Sequence, residues 1–205
     1  QRPYFSSCSL RKSSDETSCS VFRKQNRLMR IISGSLKGRR ITAPKKLPVR
    51  PTTDRSKEAL FNILNNWVEF SEIRVLDLFS GTGNISYEFG SRGVGDIVAV
   101  DQNKYCTRFI EETSTHFNLN VAVVCKNVFD YLKKPHQSFD VVFADPPYDL
   151  PEEEFLKLIT LVFEGNWLKE GGQLVVEHSK QYKLDEHPNF ESSRNYGSNT
   201  FSFFE

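Results

Sequence analysis

Apolar residues recur along this chain with two different periods, and the switch between them outlines the architecture. In "VRPTTDRSKEALFNILNNW", Leu60, Ile63, Leu64 and Trp67 stand at i, i+3, i+4 and i+7, the stripe of an amphipathic helix. Thr52 or Thr53, after Pro51, is the expected N-cap. Upstream, Ile31, Ile32, Leu36 and Ile41 flank Gly34 and Gly38 and stop before Pro44, which predicts a short hairpin. After residue 72, short apolar runs alternate with helix-period segments. "IRVLDLF", "DIVAVD", "VAVVC", "FDVVFAD" and "QLVVEH" read as buried strands. Between them lie a helix carrying Ile85 and Phe89, one carrying Cys106, Phe109, Ile110, Thr113 and Phe117, and a short one around Tyr131. A last helix opens after Pro151 with Glu152–Glu154 in its first turn, as the helix dipole prefers. Its face is Phe155, Leu158, Ile159 and Val162, and Gly165 ends it. "NFESSRNYGSNTFSFFE" predicts a closing antiparallel hairpin across Gly197-Ser198-Asn199.

Strands that are apolar throughout and separated by helices mean an α/β fold, with a mainly parallel sheet covered on both faces. Together with the closing hairpin, seven strands are expected. In such sheets ligands bind beyond the carboxyl ends of the strands, which selects the turns to inspect.

Residues 1–28 show no apolar periodicity and are rich in Ser, Arg and Lys, and Met29 is the only methionine. The expectation is a natural start at Met29, a disordered or non-native leader over 1–28, a basic hairpin over 29–50 and the α/β domain over 51–205. A targeting peptide is the alternative, against which Asp15 and Glu16 stand.

Net charge is only +1, but residues 29–60 carry nine Lys/Arg against two acids, and residues 1–28 six against two. The remaining 145 residues carry twelve against 22. A basic N-terminal segment on an acidic body suits a polyanion bound at one end; a solvated basic surface would look the same. No apolar run is long enough for a membrane span. Cys8, Cys19, Cys106 and Cys125 form no CxxC pair, and the four histidines lack metal-ligand spacing, so a reduced cytoplasmic setting without a metal is expected.

The first candidate turn is Asp77-Leu78-Phe79-Ser80-Gly81-Thr82-Gly83-Asn84. Gly81 and Gly83 let backbone approach a ligand at a helix N-terminus, although an ordinary strand-to-helix turn shows such glycines too. Asp77 would repel a pyrophosphate and suit an ammonium group. Asp101 ends the next strand, where an acid reaches the hydroxyls of a ribose or caps a helix. Acids at both places describe a nucleoside with a cationic tail and no phosphates. S-adenosylmethionine fits that description better than NAD. Asn127, after the third strand, either reads the adenine or caps the following helix.

The fourth strand ends in Asp145-Pro146-Pro147-Tyr148. Consecutive prolines remove two backbone donors and fix φ near −65°. An acid, a stiff carbonyl and an aromatic ring side by side suit a planar base bearing an amino group. That nitrogen is a poor nucleophile because its lone pair is delocalised. Hydrogen bonds to the Asp145 carboxylate and the Pro146 carbonyl would localise the lone pair and aim it at a sulfonium methyl, while Tyr148 stacks on the base.

With "MRIISGSLKGRRI", "RPTTDRSKEALFNIL", "VLDLFSGTGNISYEFGSRG", "VAVDQN", "VFADPPY" and "LVVEH" in order, residues 29–205 resemble the RsmD family of 16S ribosomal RNA (guanine-N2)-methyltransferases. The resemblance implies a Rossmann-like class I methyltransferase fold and an S-adenosylmethionine cofactor contacted by Asp77, Phe79, Gly81, Gly83, Asp101 and Asn127. It implies that Asp145, Pro146 and Tyr148 hold the target guanine, with Pro147 beside it, and that Thr52, Thr53, Asp54 and Arg55 flank cofactor and substrate. The partner implied is ribosomal RNA in a small-subunit particle, with phosphates on Lys37, Arg39, Arg40, Lys45 and Lys46. A monomer away from membranes is expected. The amino-base motif also admits an adenine-N6 enzyme acting on DNA, against which the lack of a large target-recognition domain counts. A non-catalytic nucleic-acid-binding module and a dinucleotide oxidoreductase are the readings from other classes. Glu177 and His178 follow the fifth strand and take no assigned role.

Overall fold

A computed structural model describes residues 27–44, 47, 53–134 and 137–205. Residues 1–26 of the expected leader, Lys45, Lys46 and Thr52 lie outside the described residues.

Strands β1 (Arg27–Arg30) and β2 (Arg40–Ala43) form the basic hairpin, antiparallel with Met29 opposite Ile41. Pairing begins at Arg27, two residues ahead of Met29. Helix α1 (Asp54–Leu64) follows, capped by Thr53, whose hydroxyl accepts from Ser56 N at 3.2 Å. Trp67 does not extend its apolar face as its spacing predicts. The helix ends at Leu64, Asn65–Trp67 turn away, and the Trp67 ring lies edge-on to Phe203 at 5.1 Å.

The expected alternation then appears: β3 (Arg74–Leu78), α2 (Asn84–Ser91), β4 (Asp96–Asp101), α3 (Lys104–Phe117), β5 (Val121–Cys125), α4 (Val128–Leu132), β6 (Phe139–Ala144), α5 (Glu152–Glu164) and β7 (Leu168–Ser179). β8 (Phe190–Tyr196) and β9 (Asn199–Phe204) form the closing hairpin. Its turn is shorter than expected, because Asn199 already pairs with Tyr196. The seven strands lie in the order β5-β4-β3-β6-β7-β9-β8, parallel through β7 and antiparallel beyond it.

Side chains alternate between the two faces. Leu76, Leu78, Val142, Ala144, Leu174 and Val176 pack with Phe155, Leu158, Ile159 and Val162 of α5. Val75, Val141, Phe143, Val175 and Phe201 pack on the other face against Leu60, Phe61 and Leu64 of α1 and Ile85 and Phe89 of α2. The hairpin joins through Met29, Ile31 and Ile41, which meet Tyr87, Ala99 and Ile110.

Polar contacts then fasten the hairpin to α2. The Ser91 hydroxyl donates to Ser33 O at 2.5 Å and accepts from Leu36 N at 3.0 Å, and the Ser91 carbonyl accepts from Ser35 N at 2.7 Å. Gly34 sits so close, at φ 82°, that an added Cβ would lie 1.8 Å from Ser91 O, so no larger residue fits there. At the other end of α2, Lys57 of α1 is wholly buried. Its ammonium donates to Arg30 O (2.5 Å), Asn84 Oδ1 (3.1 Å) and Glu88 Oε1 (2.9 Å). Glu88 also accepts from Ile32 N at 2.9 Å and pairs with Arg92. No helix of the described residues is long and apolar enough to cross a membrane.

Candidate active site

The carboxyl ends of β3, β4 and β6 open on one cavity of ≈ 390 Å³. The turn after β3 brings Phe79 and Gly81 into it, β4 ends in Asp101, and β6 leads into Asp145-Pro146-Pro147-Tyr148. The turn is tight because Phe79 (φ 57°), Gly81 (φ 52°) and Gly83 (φ 77°) all take left-handed backbone. Glycine adopts that conformation freely, whereas Phe79 is held there at a cost.

Four aspartates, Asp77, Asp101, Asp145 and Asp149, line the cavity, and no Lys, Arg or His does so among the described residues. Asp77 is 1% exposed. Burial pushes its carboxyl up to about 7, against the pull of Ser86, whose hydroxyl and amide donate to Oδ2 at 2.5 and 3.2 Å. Asp101 ties the turn to the start of α3: Oδ2 accepts from Gly81 N at 2.8 Å and Oδ1 from Asn103 N at 2.7 Å. Asn103, not Asp101, caps that helix. Asp145 is half-buried, and its carboxyl is raised well above the ordinary range by desolvation, then by the charges of Glu177 and Asp77.

Such a cavity repels phosphate and attracts cations. The Ser80 hydroxyl is buried in its wall with no hydrogen-bond partner among the described residues, and buried polar groups are rarely left so. Two aspartates near a turn of backbone, an unsatisfied hydroxyl and no competing cation together fit a nucleoside that carries its own positive charge.

The loop after β6 is fastened on several sides. Asp145 N donates to Leu78 O at 3.3 Å, and Leu150 N donates to Pro147 O at 2.9 Å. The Tyr182 hydroxyl lies 3.2 Å from Tyr148 O and 3.0 Å from Leu150 O. Tyr148 is 45% exposed at the cavity rim, where an incoming base can reach it.

Of the other residues singled out in the sequence, Gly83 shapes the turn without lining the cavity, as the left-handed N-cap of α2. Asn127 is drawn to capping: its Oδ1 accepts from Phe129 N and Asp130 N, and its Nδ2 donates to Gln102 Oε1 at 3.2 Å. Gln102 takes the place in the wall instead. Thr53, Arg55, Lys37, Arg39 and Arg40 are exposed outside the cavity, on α1 and the hairpin. Asp54 pairs with Arg30 at 2.9 Å. Sequence reasoning passed over Ser80 and Ser86, which look like ordinary turn residues, and Lys57, which looks like a solvated helix lysine. Glu177 did leave a signal, an acid inside an apolar strand, since acids are almost never buried unless paired.

A family model described as conserved hypothetical protein 95 matches residues 29–205. A relative from Haemophilus influenzae, ribosomal RNA small subunit methyltransferase D, is 34% identical over 161 residues, 76% of this chain and 81% of its own. Its Escherichia coli namesake is 31% identical over 152 residues, 73% of this chain and 74% of its own. Among solved structures, an Escherichia coli protein described as a candidate methyltransferase, yhhF, superposes with a TM-score of 0.74 at 25% identity, over 86% of this chain and 97% of its own. A Thermus thermophilus protein, TTHA0928, gives 0.73 at 27%, over 86% and 99%.

Proposed function

The chain belongs to the RsmD family, and on that premise we propose that it methylates the exocyclic N2 amine of a guanine in small-subunit ribosomal RNA. The observation that carries this reading is the shared cavity, in which an aspartate, a proline-stiffened backbone and an exposed tyrosine adjoin a pocket whose charged lining residues are all acidic. S-adenosylmethionine, when bound, supplies an electrophilic methyl on a sulfonium. Asp77 receives its ammonium group and Asp101 its ribose hydroxyls, and both carboxylates gain from the positive charge they otherwise lack.

A paired guanine hides its amine, so the base enters unpaired or flipped out. Tyr148 stacks on it, worth ~1–3 kcal/mol by analogy with other base-stacking sites. The Asp145 carboxylate and the Pro146 carbonyl accept the two amine N–H bonds and localise the nitrogen lone pair. Asp145 then takes the proton that the amine sheds, a task for which a raised carboxyl is suited. Holding the nitrogen in line accounts for several kcal/mol through proximity alone. Lys37, Arg39 and Arg40 on the hairpin bind phosphates of the RNA, and Thr53 and Arg55 border its path. The substrate is presented within a small-subunit particle to a monomeric enzyme in the cytoplasm.

A labelled-methyl assay decides the substrate. Label in N2-methylguanine from small-subunit particles is expected, and label in N6-methyladenine from duplex DNA would overturn the reading. A thermal shift with S-adenosylmethionine and none with NAD is expected; stabilisation by NAD alone would dismiss the cofactor assignment.

A further inference from the structure

Tyr148 is held by its ring hydroxyl as well as by its backbone. The hydroxyl donates to Asn199 Oδ1 at 3.3 Å, and Ser198 Oγ donates to the same oxygen at 3.0 Å. Asn199 Nδ2 donates in turn to Glu177 Oε1. Glu177 and Asn199 are both buried, on the neighbouring antiparallel strands β7 and β9. Alternation places them on one sheet face with Asp145: Phe143, Val175 and Phe201 share an apolar cluster, and each of the three polar residues stands two positions from one of these.

A primary amide offers a donor at one end and an acceptor at the other. Asn199 therefore meets a carboxylate with its NH2 and a phenol with its oxygen. An aspartate there would set two carboxylates against each other, and an alanine would leave both neighbours without this partner.

We propose that Glu177 and Asn199 are positioning residues of the methyl-transfer site: Asn199, anchored on Glu177, sets the tilt of the Tyr148 ring against the target base, and the Glu177 charge keeps Asp145 a competent proton acceptor. This rests on the function proposed above. The charged groups facing Asp145 are Glu177 from β7 and Asp77 from β3, and both add to burial in raising its carboxyl.

Three measurements test it. In methyl transfer to small-subunit particles, Tyr148→Phe and Asn199→Ala should each lower kcat about tenfold with the KM for S-adenosylmethionine unchanged. The double variant should also lose about tenfold, because both changes break one connection. Losses that multiply to about a hundredfold, or full activity in Tyr148→Phe, would overturn the proposal. Glu177→Gln keeps the acceptor for Asn199 but removes the charge, so the acid limb of its kcat/KM profile should move to lower pH; an unmoved limb refutes the charge effect. Quenching of an RNA oligonucleotide bearing one unpaired 2-aminopurine reports ring stacking without turnover. Asn199→Ala should weaken the quench markedly, and an undiminished quench counts against Asn199. A wild-type chain that quenches but methylates no particle would sink the proposed function and leave the positioning role to be judged on the quench. Should Asn199→Ala not fold, Tyr148→Phe and Glu177→Gln still decide.

Discussion

Helix α2 serves two clusters of buried charge, and they are built on opposite plans. At Glu88 the chain supplies both signs: Lys57 and Arg92 neutralise the carboxylate, and Arg30 O, Asn84 and Ile32 N complete the hydrogen bonds. Across the sheet ends, Asp77, Asp145 and Glu177 stand together, each raising or raised by a neighbour, and neutral groups donate to two of them, Ser86 to Asp77 and Asn199 to Glu177. A charge balanced from within fixes the packing of α1, α2 and the hairpin. Asp77 and Asp145 stand at the wall of a cavity that no Lys, Arg or His lines among the described residues, which suits the cationic cofactor proposed for it. Burial alone does not distinguish the two clusters; the sign of the charges around each carboxylate does.

The contrast is open to attack at both ends. The largest effect is expected at the balanced cluster. Lys57→Ala should cost on the order of 3–5 kcal/mol in urea denaturation, because Glu88 is left short of a partner. A loss below about 1 kcal/mol would mean that Lys57 carries no structural weight. The unbalanced cluster should behave in the reverse sense, Asp77 lowering stability whenever it is ionised. Its unfolded carboxyl titrates near 4 and its folded one at about 7, so the native state binds the extra proton between those values. Apo stability should therefore fall as pH rises from about 4 to about 7. Asp77→Asn should remove the Asp77 share of that fall, gaining on the order of 2–4 kcal/mol at pH 8, while the raised Asp145 keeps its own share. A parallel pH dependence in the two proteins would show Asp77 to be compensated after all.

Asp145→Ala sharpens the distinction further, since it should leave folding and cofactor affinity nearly intact yet slow methyl transfer by ~100-fold. Near-normal turnover would remove Asp145 from the chemistry. The smallest effect is expected at the hairpin. Replacing Arg39 and Arg40 with Ala should flatten the salt dependence of RNA binding by roughly 0.7 per lost phosphate contact, and an unchanged slope would turn the basic face away from the RNA.

The strands and the cavity turns were legible because their signals are local. Apolar runs announce buried strands, and Gly81, Gly83, Pro146 and Pro147 bend the backbone whatever surrounds them. The start of β7 at Leu168 was missed because Lys169, Glu170 and two glycines break the apolar run ahead of "QLVVEH". Trp67 kept helical spacing past the point where Asn65 turned the chain aside. Asn127 had two readings with one spacing, and of these the structure shows the cap, made to the free amides at the start of α4. Partnerships across the fold were beyond reach: Lys57 with Glu88, and Glu177 with Asn199, become neighbours only once helices dock and strands pair.

The clasp between Ser91 and the hairpin turn has a mechanical corollary. The arginine-bearing arm and the helix that starts at the cavity are joined at Ser33, Ser35 and Leu36, so the clasp fixes the distance between them. Should Arg39 and Arg40 hold an RNA backbone as proposed, it would meet the mouth beside Tyr148 at a set offset, and the nucleotide reached would be the one lying a given span from the gripped phosphates. On that reading, lengthening or loosening the turn is expected to blur the choice of nucleotide before it harms the catalysis.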